Sequence, residues 1–245
     1  MDKFLYVAMS GAKETLRAQT ANSHNLANAS TNGFRADLSA FQSRAVVGSG
    51  YASRVYAQNS TTGWDQSVGA QMFTGRDLDV SIQGDGFIAV QGRDGREAYT
   101  RAGDLFVDSL GQLMTKTGLP VLGDGGPISI PPNNSLTVAP DGNISIVPQG
   151  QGPETTATVA RIKMVNPGNA QLDRGEDGLF RLRDGSDAPS DANVKLAAGS
   201  LEASNVNAAA SMVNMIELAR NFELQIKAIR TAEDNGAAST QLLRT

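Results

Sequence analysis

A seam of positions near the end of the chain, Leu201, Asn205, Ala208, Met212, Met215, Ala219, Phe222, Ile226 and Ile229, repeats at alternating steps of four and three residues. That repeat keeps one side of a helix turned toward a partner, and it excludes a strand, whose side chains alternate every two residues. Val213, Ile216 and Leu218 widen the stripe, while Glu217, Arg220, Glu223 and Lys227 lie mostly off it. The pattern predicts a helix from about Asn207 to Glu233, roughly 40 Å long at about 1.5 Å per residue, with Gly236 as its stop. Leaving Met212, Met215, Phe222, Ile226 and Ile229 in water would forgo on the order of 10 kcal/mol, as much as the whole stability of a typical domain. The helix therefore needs a partner.

The first thirty residues carry a slighter version of the same spacing, Leu5, Met9, Ala12, Leu16, Gln19, Ser23 and Leu26. Small and partly polar, it suits close helix approach, and Asn32-Gly33 is expected to end this helix because glycine enters the left-handed region without steric cost. Between the ends the texture changes. Short alternating runs such as LDVSI, GFIAVQ, LFVDS, ISIV and LFRLR are separated by turns, among them six Asp-Gly pairs at Asp85, Asp94, Asp124, Asp141, Asp177 and Asp184. Asp-Gly favours tight hairpins, so this region predicts an all-β domain, and its irregular spacing excludes a repeat architecture.

The fold class is therefore α+β: N- and C-terminal helices packing as a coiled-coil-like pair, with a central all-β domain of many short strands. The expected divisions are residues 1–35, an extended linker over 36–74, the β domain over 75–199 and the C-terminal helix over 200–245. The N-terminal seam is too slender to cover the whole C-terminal stripe. Some of that stripe is left for other molecules, and an unlike surface meeting it on a neighbour builds a head-to-tail assembly.

Composition narrows the chemistry. The 245 residues carry a net charge of -4 with no run of like charges, which argues against nucleic acid and anionic membrane surfaces as partners. Cysteine is absent, excluding disulfides, thiolate catalysis and cysteine-bound metals, and a single histidine leaves no histidine-rich metal site. The apolar part of MDKFLYVAMS is too short for a secretory signal core, and no stretch has the length of a membrane span. "GDGGP" at Gly123–Pro127 lacks the serine of a protease nucleophile loop, and "DLDVSIQGDG" lacks the ligand ladder of a calcium loop. "RGEDG" at Arg174–Gly178 reads as a solvated turn, and neither nucleotide-binding fingerprint occurs. His24 has no acidic partner at helical spacing and reads as a surface or packing residue. A glycan hydrolase would need two carboxylates roughly 5–10 Å apart, and nothing selects such a pair among the many aspartates. A peptidoglycan-active enzyme and a monomeric adhesive β domain with helical tails are the alternatives to an assembling subunit.

Three stretches carry a resemblance. Asn25, Leu26, Ala27, Asn28, Thr31, Gly33, Phe34 and Arg35 resemble the "NLAN…T.GF[KR]" box of the flagellar rod and hook family of bacterial axial proteins, Asn32 being a mild departure. Leu201, Glu202, Ser204, Asn205, Val206 and Asn207 in "GSLEASNVN", followed by Met215, Ile216, Arg220, Phe222 and Glu223, are similar to that family's C-terminal signature. Between them, "TGRDLDVSIQGDGFIAVQ" and "AYTRAGDLFVDSLGQLMTKTGLPVLG" resemble its shared central segment. Within the family the chain looks most like a proximal-rod member, with a distal-rod member as the alternative.

The resemblance implies a structural subunit with no catalytic residues, metal or cofactor. It implies a rod that crosses the periplasm and export by the flagellar type III apparatus without a cleaved signal peptide. The implied partners are copies of itself and the rod proteins FlgB, FlgC and FlgG. The residues expected to carry assembly and packing are Asn25, Leu26, Asn28, Gly33, Phe34, Leu201, Asn205, Met212, Met215, Ile216, Phe222, Ile226 and Ile229. Asn22, Asn25 and Asn28, three residues apart, are expected to fix register between close-packed helices through their amide groups.

Overall fold

The computed structural model describes residues 3–45, 55–150, 155–168 and 171–242; the part of the expected linker at 46–54 lies outside them. The chain forms two compact units, one of Met1–Ala29, Arg35–Ser67 and Val206–Thr245, the other of Ser30–Phe34 and Val68–Asn205.

The first unit holds helix α1 (Lys3–Ala27), strands β1 (Asp37–Ala45) and β2 (Val55–Trp64), and a 35-residue helix α2 (Ala208–Leu242). The end of α1 comes at Ala27 and not at Asn32-Gly33, because Asn28 turns back on the helix: its side-chain amide donates to the His24 carbonyl at 2.9 Å, and the Ala29 N–H takes the Leu26 carbonyl in a tightened last turn. At the start of α2 the Asn207 Oδ1 accepts the Ala210 N–H at 3.1 Å, capping the helix and leaving Leu201 and Asn205 outside it. The helix then runs through Gly236, contrary to the stop expected there. An interior glycine costs only about 1 kcal/mol, and no proline follows to enforce an end.

β1 and β2 form an antiparallel ribbon. A two-stranded ribbon is marginal alone, and α1 supports this one: the Asn59 N–H donates to Glu14 Oε2 at 3.0 Å and the Ser10 hydroxyl to the Ala57 carbonyl at 3.3 Å.

The second unit is the β domain. In chain order its strands are β3 (Gln71–Phe73), β4 (Val80–Gln83), β5 (Phe87–Gln91), β6 (Glu97–Thr100), β7 (Leu105–Val107), β8 (Leu113–Thr115), β9 (Leu122–Gly123) and β10 (Gly126–Pro127). There follow β11 (Asn133–Val138), β12 (Asn143–Pro148), β13 (Ala157–Arg161), β14 (Met164–Val165), β15 (Leu172–Arg174), β16 (Phe180–Leu182), β17 (Lys195–Ala198) and β18 (Ser200–Glu202). The largest sheet has the order β14-β5-β6-β16-β15, a second has β11-β12-β13, and β17 pairs with β4 and β18 with β3. All these pairings are antiparallel. Val80, Ile82, Ile88, Val90, Leu105, Leu113, Ile144 and Ile162 form a shared core with almost no exposure.

Four of the Asp-Gly pairs close hairpins, β5–β6, β9–β10, β11–β12 and β15–β16, and those at Asp85 and Asp184 do not. The aspartate works through its side chain. Asp94, Asp141 and Asp177 each accept the N–H two residues on, which closes the turn locally. Arg181 also forks onto Asp177 with bonds of 3.0 and 2.7 Å, and this bonding holds the Asp177 carboxyl below the usual range.

Candidate assembly surface

Within the first unit the two helices approach closely and run antiparallel. Gly11 of α1 lies against Gln225 of α2, where an added Cβ would sit 3.0 Å from the Gln225 side chain, and Asn22 donates its amide to the Ser211 carbonyl at 2.7 Å. The covered side of α1 runs along Ala8, Gly11, Thr15, Ala18, Asn22 and Asn25; of the expected seam Ala12 is buried beside it and Leu5, Gln19 and Leu26 are half-buried, while Met9 and Leu16 are 51% and 47% exposed. Apart from Ala12, the best-covered positions lie one residue earlier than the apolar spacing predicts, because small side chains let the backbones approach and Met9 and Leu16 would hold them apart.

On α2 the covered side runs along Ser211, Met215, Leu218, Phe222, Gln225, Ile229 and Ala232, again alternating by four and three, with Ala219, Ile226 and Ala228 half-buried beside it. Only Ser211 and Ala232 are fully buried; Met215, Phe222, Ile226 and Ile229 are half-buried. A partner side made of alanine, glycine and threonine lacks the volume to enclose them. Met212, Val213 and Ile216 are each 55% exposed, and Leu224 is 64% exposed. At about 100° per residue these four lie off the side covered by α1. A groove of about 450 Å³ opens where α1, β1 and α2 meet, with Leu38 and Phe41 on the ribbon side and Asn214, Leu218 and Asn221 on the α2 side.

The asparagines divide the work that the sequence assigned to them jointly. Asn22 crosses to α2. Asn25 clamps the first residue of β1, its Oδ1 accepting the Asp37 N–H at 2.8 Å and its amide donating to the Asp37 carbonyl at 2.9 Å. Asn28 caps its own helix, and Leu26 is half-buried. His24 has an acidic partner after all: its Nδ1 lies 2.7 Å from Asp37 Oδ2. The chain reversal between residues 27 and 37 creates that pair, and no helical spacing could have revealed it.

Gly33, Phe34, Leu201 and Asn205 belong to the β unit. Gly33 has φ +68°, and any side chain there would strike the Arg101 backbone. Phe34 is buried with the Arg174 guanidinium 4.5 Å from its ring centroid. Leu201 is buried within β18, and the half-buried Asn205 follows that strand. Sequence reasoning missed the buried Glu14, which accepts from Arg17 at 2.9 Å as well as from Asn59; the three-residue spacing of Glu14 and Arg17 was the available signal. Among the described residues no group of three or more His, Asp or Glu could hold a metal ion, and no helix is long and apolar enough to cross a membrane.

Three segments of the chain match known protein families. Residues 5–35 match the family described as flagella basal body rod protein, residues 81–146 the flagellar hook protein FlgE/F/G D1 domain, and residues 197–242 the flagellar basal body rod FlgEFG protein C-terminal region. The chain is 43% identical to the flagellar basal-body rod protein FlgF of Escherichia coli K12, with 99% of each chain covered. The chain belongs to the FlgF family of flagellar basal-body rod proteins. It is also 42% identical to FlgF of Salmonella typhimurium LT2 over 99% of both chains, against 31% to FlgG of Bacillus subtilis over 96% of both, which makes FlgG the weaker alternative. In this FlgF-family chain the N-terminal match ends just after the turn at Gly33, and the C-terminal match takes in β18 and α2.

Proposed function

We propose that this chain is a structural subunit of the bacterial flagellar basal-body rod, built into its proximal part and transmitting torque along a helical shaft across the periplasm. The carrying observation is the α2 face of Met212, Val213, Ile216 and Leu224, left open by a partner helix whose contact side is small. Fully burying one such side chain contributes roughly 1.5–3 kcal/mol, so covering four that are already part-buried favours association by several kcal/mol. The ridge and the groove beside Asn214, Leu218 and Asn221 lie on different sides of one helix. Unlike surfaces of that kind join head to tail, and where the rotation between neighbours does not close they extend as an open helical filament.

In this reading α1 and α2 pair in a coiled-coil-like manner, with Asn22 fixing register. The neighbours are copies of the chain and the rod proteins FlgB, FlgC and FlgG, reached after type III export without a cleaved leader. The matched relatives are structural rod proteins, and the chain is read as one of them, not as an enzyme. Ile216→Asp tests the reading. The purified variant should keep the circular dichroism and melting of the parent, since residue 216 is exposed, and should be missing from isolated rods. Normal incorporation and motility would contradict the assembly role of this face.

A further inference from the structure

The chain passes between its two units at four places, after Ala29, Phe34, Ser67 and Asn205. Inside the β unit, the segments next to three of these crossings are joined around one residue, Glu202. Its carbonyl accepts the Gly33 N–H at 2.7 Å, and its Oε1 accepts the Gly69 N–H at 3.0 Å. Two further backbone bonds close the set, Ala203 N–H to the Ala70 carbonyl at 2.8 Å and Asn205 N–H to the Phe34 carbonyl at 3.3 Å.

The other carboxylate oxygen of Glu202 meets Arg101, at 2.8 Å from Nε and 2.7 Å from Nη2, with the two side chains 2% and 1% exposed. Arg101 also donates from Nη1 and Nη2 to the Gly86 and Gly84 carbonyls at 2.7 and 2.9 Å, in the turn between β4 and β5. Both Glu202 carboxylate oxygens and all three Arg101 nitrogens are thus bonded, and the pair is tied to the turn between core strands, the condition under which a buried ion pair holds. The backbones touch closely: a Cβ on Gly69 would lie 1.9 Å from the Ala203 carbonyl oxygen, and one on Gly33 2.3 Å from the Arg101 carbonyl carbon.

We propose that Glu202, anchored by Arg101, is the hub of a collar that makes these three connector segments one mechanical element. Force arriving along any of them is shared by paired backbones and passed to the core strands. Glu202 is a positioning residue for torque transmission, and that mechanical part rests on the rod reading, whereas the existence of the collar does not.

Amide hydrogen exchange on the full chain tests the collar. The amides of Gly33, Gly69, Ala203 and Asn205 should exchange together, as slowly as those of β5. In Glu202→Gln all four should accelerate together, on the order of a hundredfold, because Arg101 loses its charged partner. Gly69→Ala forces Ala203 away while keeping Arg101 and Glu202, and should give the same joint acceleration with β5 unchanged; it carries the comparison should Glu202→Gln not fold. Unequal, independent exchange in the parent, or acceleration only beside the substituted residue, overturns the collar.

The load role is read in cells expressing Gly69→Ala. Rods should assemble and swimming in dilute medium should persist, with speed lost selectively in viscous medium. Equal loss in both media, no loss in either, or absence of the folded variant from rods overturns the load-bearing role. Absence of the unmutated chain from purified rods would instead overturn the rod reading.

Discussion

Asn25 shows how one side chain can decide where a strand begins. Its amide makes two bonds to the backbone of Asp37, the pattern a neighbouring strand would make, and His24 reaches the Asp37 carboxylate from the preceding position. Asn25→Leu removes both partners from a partly buried backbone, which should cost about 1–3 kcal/mol locally. The expected outcome is faster exchange of the Asp37 amide, with exchange in the β core unchanged; an unaltered Asp37 amide would show that the clamp is incidental. The sequence marked Asn25 as a polar residue on a helix in need of a partner, and three-residue spacing suggested the other helix. The actual partner lies twelve residues on, across a reversal whose geometry no periodicity encodes.

At the scale of elements, both helices and most strands were legible because their side-chain periods are local. The phase of α1 was not. Apolar spacing favours Met9 and Leu16, whereas close approach favours Ala8, Gly11 and Thr15, and small residues carry little signal in a hydrophobic pattern. The β1–β2 ribbon was only faintly legible, as an extended connection with room for a strand or two: its strands are rich in Ser, Gln, Thr and Asn, and it is bonded to α1 through Glu14 and Ser10. Gly236 looked like a stop because glycine usually is one, yet α2 continues past it with open space around its Cα. Gly236→Ala should therefore raise the stability of the last turns by up to about 1 kcal/mol, seen as greater helical circular dichroism in the isolated chain. A fall in helicity would mean that the glycine is needed there.

For the molecule as a whole, α1 presents a small-residue side to α2, which leaves α2 a ridge with exposed apolar side chains at Met212, Val213 and Ile216, followed by Arg220, Glu223, Leu224 and Lys227, on one flank and a groove on another. The β unit supplies a rigid core and holds the connectors together. Membership of the FlgF family of rod proteins follows from similarity along the whole chain. The physical claim is that the ridge is a surface made to be covered by neighbouring subunits. Because the chain has no cysteine, Ile216→Cys introduces a single thiol on that ridge. Its labelling by a maleimide should be fast in the free subunit and strongly suppressed in assembled rods. Equal labelling in both states would contradict the account.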